Sequence, residues 1–167
     1  MNMQYRYREA AENYQQAAKY PPDNEEYGEK KAYYLNKCGM NYHDAGLYNL
    51  VETPYLEAKK VYEEVYGLDH LDVATTLNNL AALYYTQNNY AQAEMLYLRA
   101  LEITEKALGK DHPDVATTLN NLAILYDAQG KYAEAEPFYL RALEIRENKL
   151  GKDHPEVAAT LNNLAVL

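Results

Sequence analysis

The 167-residue sequence has no tryptophan and a single phenylalanine, so its apolar side must be built from leucine, alanine and 19 tyrosines. That is a soluble, helix-tolerant composition. The only cysteine, Cys38, excludes an internal disulfide and fits a reducing compartment, which makes a cytoplasmic location the expectation. Basic residues are scarce: 16 Lys and Arg stand against 25 Asp and Glu, for a formal net charge of -9 and no basic block. Nucleic acid and anionic membrane are therefore poor partners, and neutral or basic protein ligands are slightly favoured. No apolar run approaches the roughly 18 residues of a membrane-spanning helix. The N-terminal stretch MNMQYRYREAAENY lacks the apolar core of a signal peptide. Gly-rich phosphate loops, nucleophile elbows, CxxC pairs and HExxH motifs are all missing, so no catalytic residue, metal or cofactor is expected.

What the sequence does have is repetition. TTLNNLA stands at residues 75–81 and again at 117–123, with ATLNNLA at 159–165. Gly67, Gly109 and Gly151 are spaced by 42 residues, and so are His70, His112 and His154. One period earlier lies a worn copy in which Leu35, Asn36, Gly39, Tyr42, Tyr48, Tyr55 and Ala58 keep the columns. Earlier still, Tyr7, Ala10, Tyr14 and Ala17 copy the second half of a repeat, as in Tyr132, Ala135, Tyr139 and Ala142. The expected organisation is one solenoid over 1–167. It comprises an orphan second-type helix at 5–20, a degenerate repeat at 24–66, repeats at 67–108 and 109–150, and a first helix alone at 151–167. Half, three whole and half repeats predict a segment cut from a longer array.

Within a repeat, Leu77, Leu80, Ala81 and Tyr84 fall at i, i+3, i+4 and i+7, one face of an amphipathic helix. Tyr90, Ala93, Tyr97, Ala100 and Leu101 mark a second helix in the same way. TQNN and AQGK are turn material between them, with Asn88 and Gly130 where a positive φ is needed. Gly67, Gly109 and Gly151 are expected as left-handed caps after the second helices. Asp111 and Asp153 are expected as N-caps of the next first helices, each followed by a proline in the first turn, and Asp69 in the same role without one. Pro137 falls inside a second helix and Pro54 one column along in the worn repeat, where a proline costs about 3 kcal/mol and predicts a kink.

These columns resemble the tetratricopeptide repeat, in the 42-residue form of kinesin light chains and of the sensor regions of many bacterial signalling ATPases. Leu77, Leu80, Ala81, Tyr84, Asn88, Tyr90, Ala93, Tyr97 and Ala100 occupy the signature columns. Leu119, Leu122, Ala123, Tyr126, Gly130, Tyr132, Ala135, Tyr139 and Ala142 repeat them. The resemblance implies an all-α fold, a right-handed superhelical solenoid of antiparallel helix hairpins. It also implies that the first helices line a concave groove for peptides or partner helices.

With Leu77 at zero and 100° per residue, Asn78, Ala82, Tyr85 and Thr86 fall between about 80° and 180°, away from the apolar face. Those columns read Asn36, Asn78, Asn120 and Asn162; then Met40, Ala82, Ile124 and Val166; then His43, Tyr85 and Asp127. A groove so lined is an asparagine ladder beside an apolar strip. Asparagine carries a donor and an acceptor, so it can pair with the main chain of an extended peptide whatever its side chains. The alternative is that each asparagine ties its helix to the preceding turn and touches no ligand, and a structural role is favoured for the second of each pair, Asn79, Asn121 and Asn163, about 100° further round towards the neighbouring hairpin. These groove columns hold no basic residue beyond His43, which disfavours an acidic-tail ligand.

The thrice-repeated Asp-His pair admits a metal reading, but equivalent side chains in successive repeats lie about 8–10 Å apart against ligand bonds of about 2.0–2.2 Å. Helix-start punctuation fits it better. Cys38 occupies the column of Leu80 and Leu122 and reads as core. His43 and Asp44 lack an orienting third group for catalysis. Three functional readings follow. The first is a non-catalytic protein-interaction scaffold with its groove. The second is a self-assembling segment in which Tyr7 and Tyr14 at one end dock head-to-tail with Leu161 and Leu164 at the other. The third is the sensor or spacer of a larger bacterial-type signalling ATPase.

Overall fold

The computed structural model describes residues 3–19 and 27–167. Among these the chain forms α1 (Met3–Lys19), α2 (Tyr27–Asp44), a 3-10 turn (Tyr48–Leu50), α3 (Glu52–Tyr66), α4 (Leu71–Thr86), α5 (Tyr90–Leu108), α6 (Pro113–Ala128), α7 (Tyr132–Leu150) and α8 (Pro155–Ala165). No strand occurs among the described residues. The fold is all-α, built from helix hairpins. The chain divides into two compact units, one up to Leu83 and one from Tyr84 onward, with the division inside α4.

In the first unit α2 packs against both α1 and α3. The 3.6-residue period puts Leu35, Cys38 and Tyr42 on its buried side, and α3 answers with Tyr55, Ala58 and Tyr62. Gly39 is required by this seam, because a Cβ there would stand 2.6 Å from Cε1 of Tyr55. Cys38 is wholly buried, and loss of solvation pushes its thiol up to about 11. The Tyr42 hydroxyl donates to Oε1 of Gln15 on α1 at 3.3 Å. Only Ala11 and Ala18 of α1 are buried, whereas Tyr7, Ala10, Tyr14 and Ala17 stay half-covered.

In the second unit α6 lies against α5 and α7, and α8 lies on α7. Ala123, Ala135 and Tyr139 form a core cluster against which Ile124, Tyr126, Phe138, Leu164 and Leu167 pack. The alanines let two helices approach, and the tyrosine ring fills the space that remains. Tyr126 stacks on Phe138 at 5.5 Å and 8° and donates its hydroxyl to Oε1 of Glu94 on α5 at 2.6 Å.

The joints differ in three ways from the sequence expectation. Gly67, Gly109 and Gly151 do take positive φ of 86°, 87° and 88°. Their ψ of 171°, 158° and 154° makes them mirror-extended rather than left-handed helical, a region open in practice to glycine alone. The N-caps are His112 and His154, not Asp111 and Asp153. Proline forces the residue before it to be extended, so the helix starts at Pro113 and Pro155 and the histidine stands at its threshold. Nδ1 of each imidazole accepts the N–H two residues on, from Asp114 and Glu156 at 3.2 Å, and His70 does the same for Asp72 at 3.3 Å. Finally, α7 runs unbroken through Pro137, and Pro54 lies in the first turn of α3, where its missing N–H would have no helical acceptor. Asn88 and Gly130 have φ of 60° and 71°, as their turn column demands.

Replacing His112 with alanine removes the cap acceptor and lowers stability by about 0.5–2 kcal/mol, while His112→Asn retains most of it. Urea midpoints of the two variants check this, and equal midpoints would refute the cap role.

Candidate functional site

The first helices of the hairpins, α2, α4, α6 and α8, each carry an open face of half-buried or exposed side chains beside their buried columns. In the first unit this face presents Tyr33, Lys37, Met40 and His43 from α2 and Thr75, Asn78, Asn79 and Ala82 from α4. Tyr33, Met40 and Thr75 are exposed and the others half-buried. Asn36 stands apart: it is only 9% exposed. Its Nδ2 donates to Oγ1 of Thr76 at 3.3 Å, and its Oδ1 accepts from Nδ2 of Asn79 at 3.0 Å. Both ends of the amide are thus engaged within the protein. His43 lies edge-on to Tyr48 at 5.3 Å, with Nδ1 3.8 Å from the Asp44 carboxylate.

In the second unit α6 presents Asn120, Asn121, Ile124 and Asp127, all half-buried, beside exposed Thr117. Asn162 and Val166 are exposed on α8 and just beyond it. Nδ2 of Asn163 lies 3.5 Å from Oδ1 of Asn120, the same 43-residue relation that joins Asn79 to Asn36. The same rung thus occurs once in each unit, from Asn79 to Asn36 and from Asn163 to Asn120. Tyr85, at the end of α4, is half-buried with its ring 6.1 Å from that of Tyr90. Tyr139, behind the Asp127 end of α6, has its hydroxyl pushed up to about 12, chiefly by burial and then by the Asp127 carboxylate.

The terminal residues are placed as follows. Tyr7 and Tyr14 on α1 are half-buried, Tyr14 with its ring 6.3 Å from that of Tyr34. On α8 Leu164 reaches the core cluster, while Leu161 remains 44% exposed.

Column reading missed two side chains on the open face, Tyr33 and Lys37. The Lys37 ammonium sits 5.6 Å over the Tyr33 ring. They share columns with Thr75 and Asn79, so the 42-residue register would have located them. Lys37 also places a basic group one column from those expected to hold none. Chemically the open faces offer amides, hydroxyls and an apolar strip, suited to holding a main chain. Among the described residues no three His, Cys, Asp or Glu side chains are grouped to hold a metal ion.

The family model of the tetratricopeptide repeat matches residues 32–106, 87–148 and 128–167. No curated protein sequence matches the chain. Among solved structures it is similar to BtubC (BKLC) from P. vanneervenii, at 26% identity and a TM-score of 0.84 over 96% of this chain and 65% of that one. The chain thus spans slightly less than two thirds of the length of that relative. It is also similar to a Podosopora anserina structure with nearly identical TPR-like repeats of kinesin light chain type. There the identity is 16% and the TM-score 0.68, over 99% of this chain and 87% of that one. The structure of MamA matches at 17% identity and a TM-score of 0.58, over 99% and 92% of the two chains. With matches to the family model running from residue 32 to 167 and hairpins repeating every 42 residues, the chain belongs to the tetratricopeptide repeat family.

Proposed function

We propose that the chain is a non-catalytic protein-interaction scaffold that takes an extended peptide or partner helix along the open faces of its first helices. One observation carries the reading: each such face sets half-buried or exposed asparagines beside small or apolar side chains. Asn78 lies beside Ala82 on α4, Asn120 beside Ile124 on α6, and Asn162 beside Val166 at α8. Asn36 belongs to the scaffold rather than the ligand side, since it is buried with both ends of its amide engaged, by Thr76 and Asn79, whereas Asn120 is half-buried with Asn163 on its Oδ1. Met40 supplies apolar surface in its place. The net charge of -9 and Asp127 on the α6 face favour a neutral or basic peptide over an acidic one.

The test is selection of displayed extended peptides on the native chain, followed by rebinding to the Asn78→Ala, Asn120→Ala double variant. Two side-chain hydrogen bonds at about 0.5–1.5 kcal/mol each predict a loss of roughly 5- to 150-fold. Helicity and melting should stay close to those of the native chain. Peptides that rebind the double variant with undiminished affinity would remove the asparagines from the function.

A further inference from the structure

Asp127 is an acid in an unfavourable place. It stands in the last turn of α6, where the negative end of the helix dipole disfavours an anion, and no basic residue shares that turn. It is half-buried, yet among the described residues its carboxylate takes no hydrogen bond and no ion pair. Lys131, on the turn that follows, has its ammonium 5.6 Å over the Tyr126 ring instead. The same column holds His43 and Tyr85 in the earlier repeats, so the acid is particular to this hairpin and is no part of the repeating scaffold.

Its neighbours in the unit from Tyr84 onward are aromatic and apolar. Tyr139 relates them: after burial itself, the Asp127 carboxylate and then Tyr85 raise its hydroxyl, and Ile124 packs against the cluster that Tyr139 forms with Ala123 and Ala135. Ile124 precedes Asp127 by three residues, one turn along the same face of α6, and is half-buried. Tyr85 is half-buried too, its ring 6.1 Å from that of Tyr90 and tilted by 41°. Tyr90 is itself held, its hydroxyl donating to Oδ1 of Asn88 at 3.0 Å. A carboxylate with an aromatic ring and an aliphatic side chain close by suits both parts of a long basic residue, the charged head and the methylene stem. We propose that a lysine or arginine of the bound peptide anchors here, its charge on the Asp127 carboxylate and its stem along Tyr85 and Ile124. The anchor rests on the peptide reading above and gives one residue of that peptide its chemistry.

Displayed extended peptides selected on the native chain should share one basic position. Resynthesised with glutamine there, such a peptide should bind the native chain about 3- to 20-fold more weakly, between the losses for an exposed and a well-desolvated ion pair. Asp127→Asn should lose the same factor for the basic peptide and nothing for its glutamine version, and Asp127→Lys should prefer a glutamate version. Because the native acid opposes the α6 dipole without a partner, Asp127→Asn should melt no lower than the native chain. A lower melting temperature would assign Asp127 to the scaffold and overturn the anchor. Undiminished binding of the basic peptide to Asp127→Asn, or an equal loss for its basic and glutamine versions, overturns it as well. Where those peptides still weaken on the Asn78→Ala, Asn120→Ala double variant, the peptide reading stands without the anchor. A native chain that retains no displayed peptide overturns both.

Discussion

Tyr139→Ala lowers the stability of the unit from Tyr84 onward by about 3–5 kcal/mol, the range for removing a large aromatic side chain from a filled core. Tyr139 is 1% exposed and packs where α6 and α7 are held close by Ala123, Ala135 and Ala142, which have no side chain able to move into the vacated space. The cavity therefore persists, and the lining of Phe138, Leu164 and Ile124 loses its contacts on one side. Tyr139→Phe keeps the ring and costs less than about 1.5 kcal/mol. Urea unfolding followed by helical circular dichroism distinguishes the two. Equal losses would mean that the hydroxyl, and not the ring, holds the hairpin. The larger loss also reaches the proposed peptide face, because Asn120 and Ile124 stand on α6 and depend on the α6–α7 seam for their position.

The second large effect lies at the α7–α8 joint and separates charge from packing. Arg146 is 6% exposed, and its column holds Thr104 one repeat earlier and Tyr62 two repeats earlier, so it is the charged exception in a buried series. Its Nη1 donates to Oγ1 of Thr160 at 2.6 Å and to the Glu156 carbonyl at 3.3 Å, while Nε lies 3.2 Å from the Glu156 carboxylate. Burial lowers the guanidinium pKa and Glu156 opposes that shift, so the group remains charged. Arg146→Ala is expected to cost about 2–4 kcal/mol, through a cavity and the loss of the tie to Thr160. Arg146→Met keeps most of the volume and removes the desolvation cost, so it is expected within about 1.5 kcal/mol of the native chain. Thermal melts of both variants decide the matter: a methionine variant as unstable as the alanine one would show that the ion pair, and not the packing, holds α8.

Much of the fold was legible because a 42-residue repeat writes each structural decision several times. Turn positions Asn88 and Gly130 could be read from backbone sterics alone, and Leu77, Leu80 and Ala81 from one apolar face. The second buried face was not read: Leu83 and Leu125, with Thr76 and Thr118, are also fully buried. A helical wheel centred on Leu77 identifies the side facing its own hairpin partner. A first helix such as α6 is gripped from two sides, by α5 and α7, and that doubling comes from stacking. The cap was misassigned for a different reason. Aspartate and histidine can both accept a backbone N–H, and where the helix starts decides between them: proline fixes that start at Pro113 and Pro155, and His70 takes the same place before Leu71 without one.

The candidate site divides the same way. Helix type, the places of the turns and the family follow from the sequence, since they depend on periods of 3.6 and 42 residues that any one chain carries in itself. The fate of the asparagines does not, because Asn79 reaches Asn36 and Asn163 reaches Asn120 across a step of 43 residues that no column reveals. Only the rotation and spacing of neighbouring helices bring those amides within bonding distance. A buried amide keeps its partner because desolvating it without one costs about 1–3 kcal/mol. Tertiary structure thus turned Asn36 inward to hold α4, set Asn163 against Asn120, and left Met40 and Asn162 exposed.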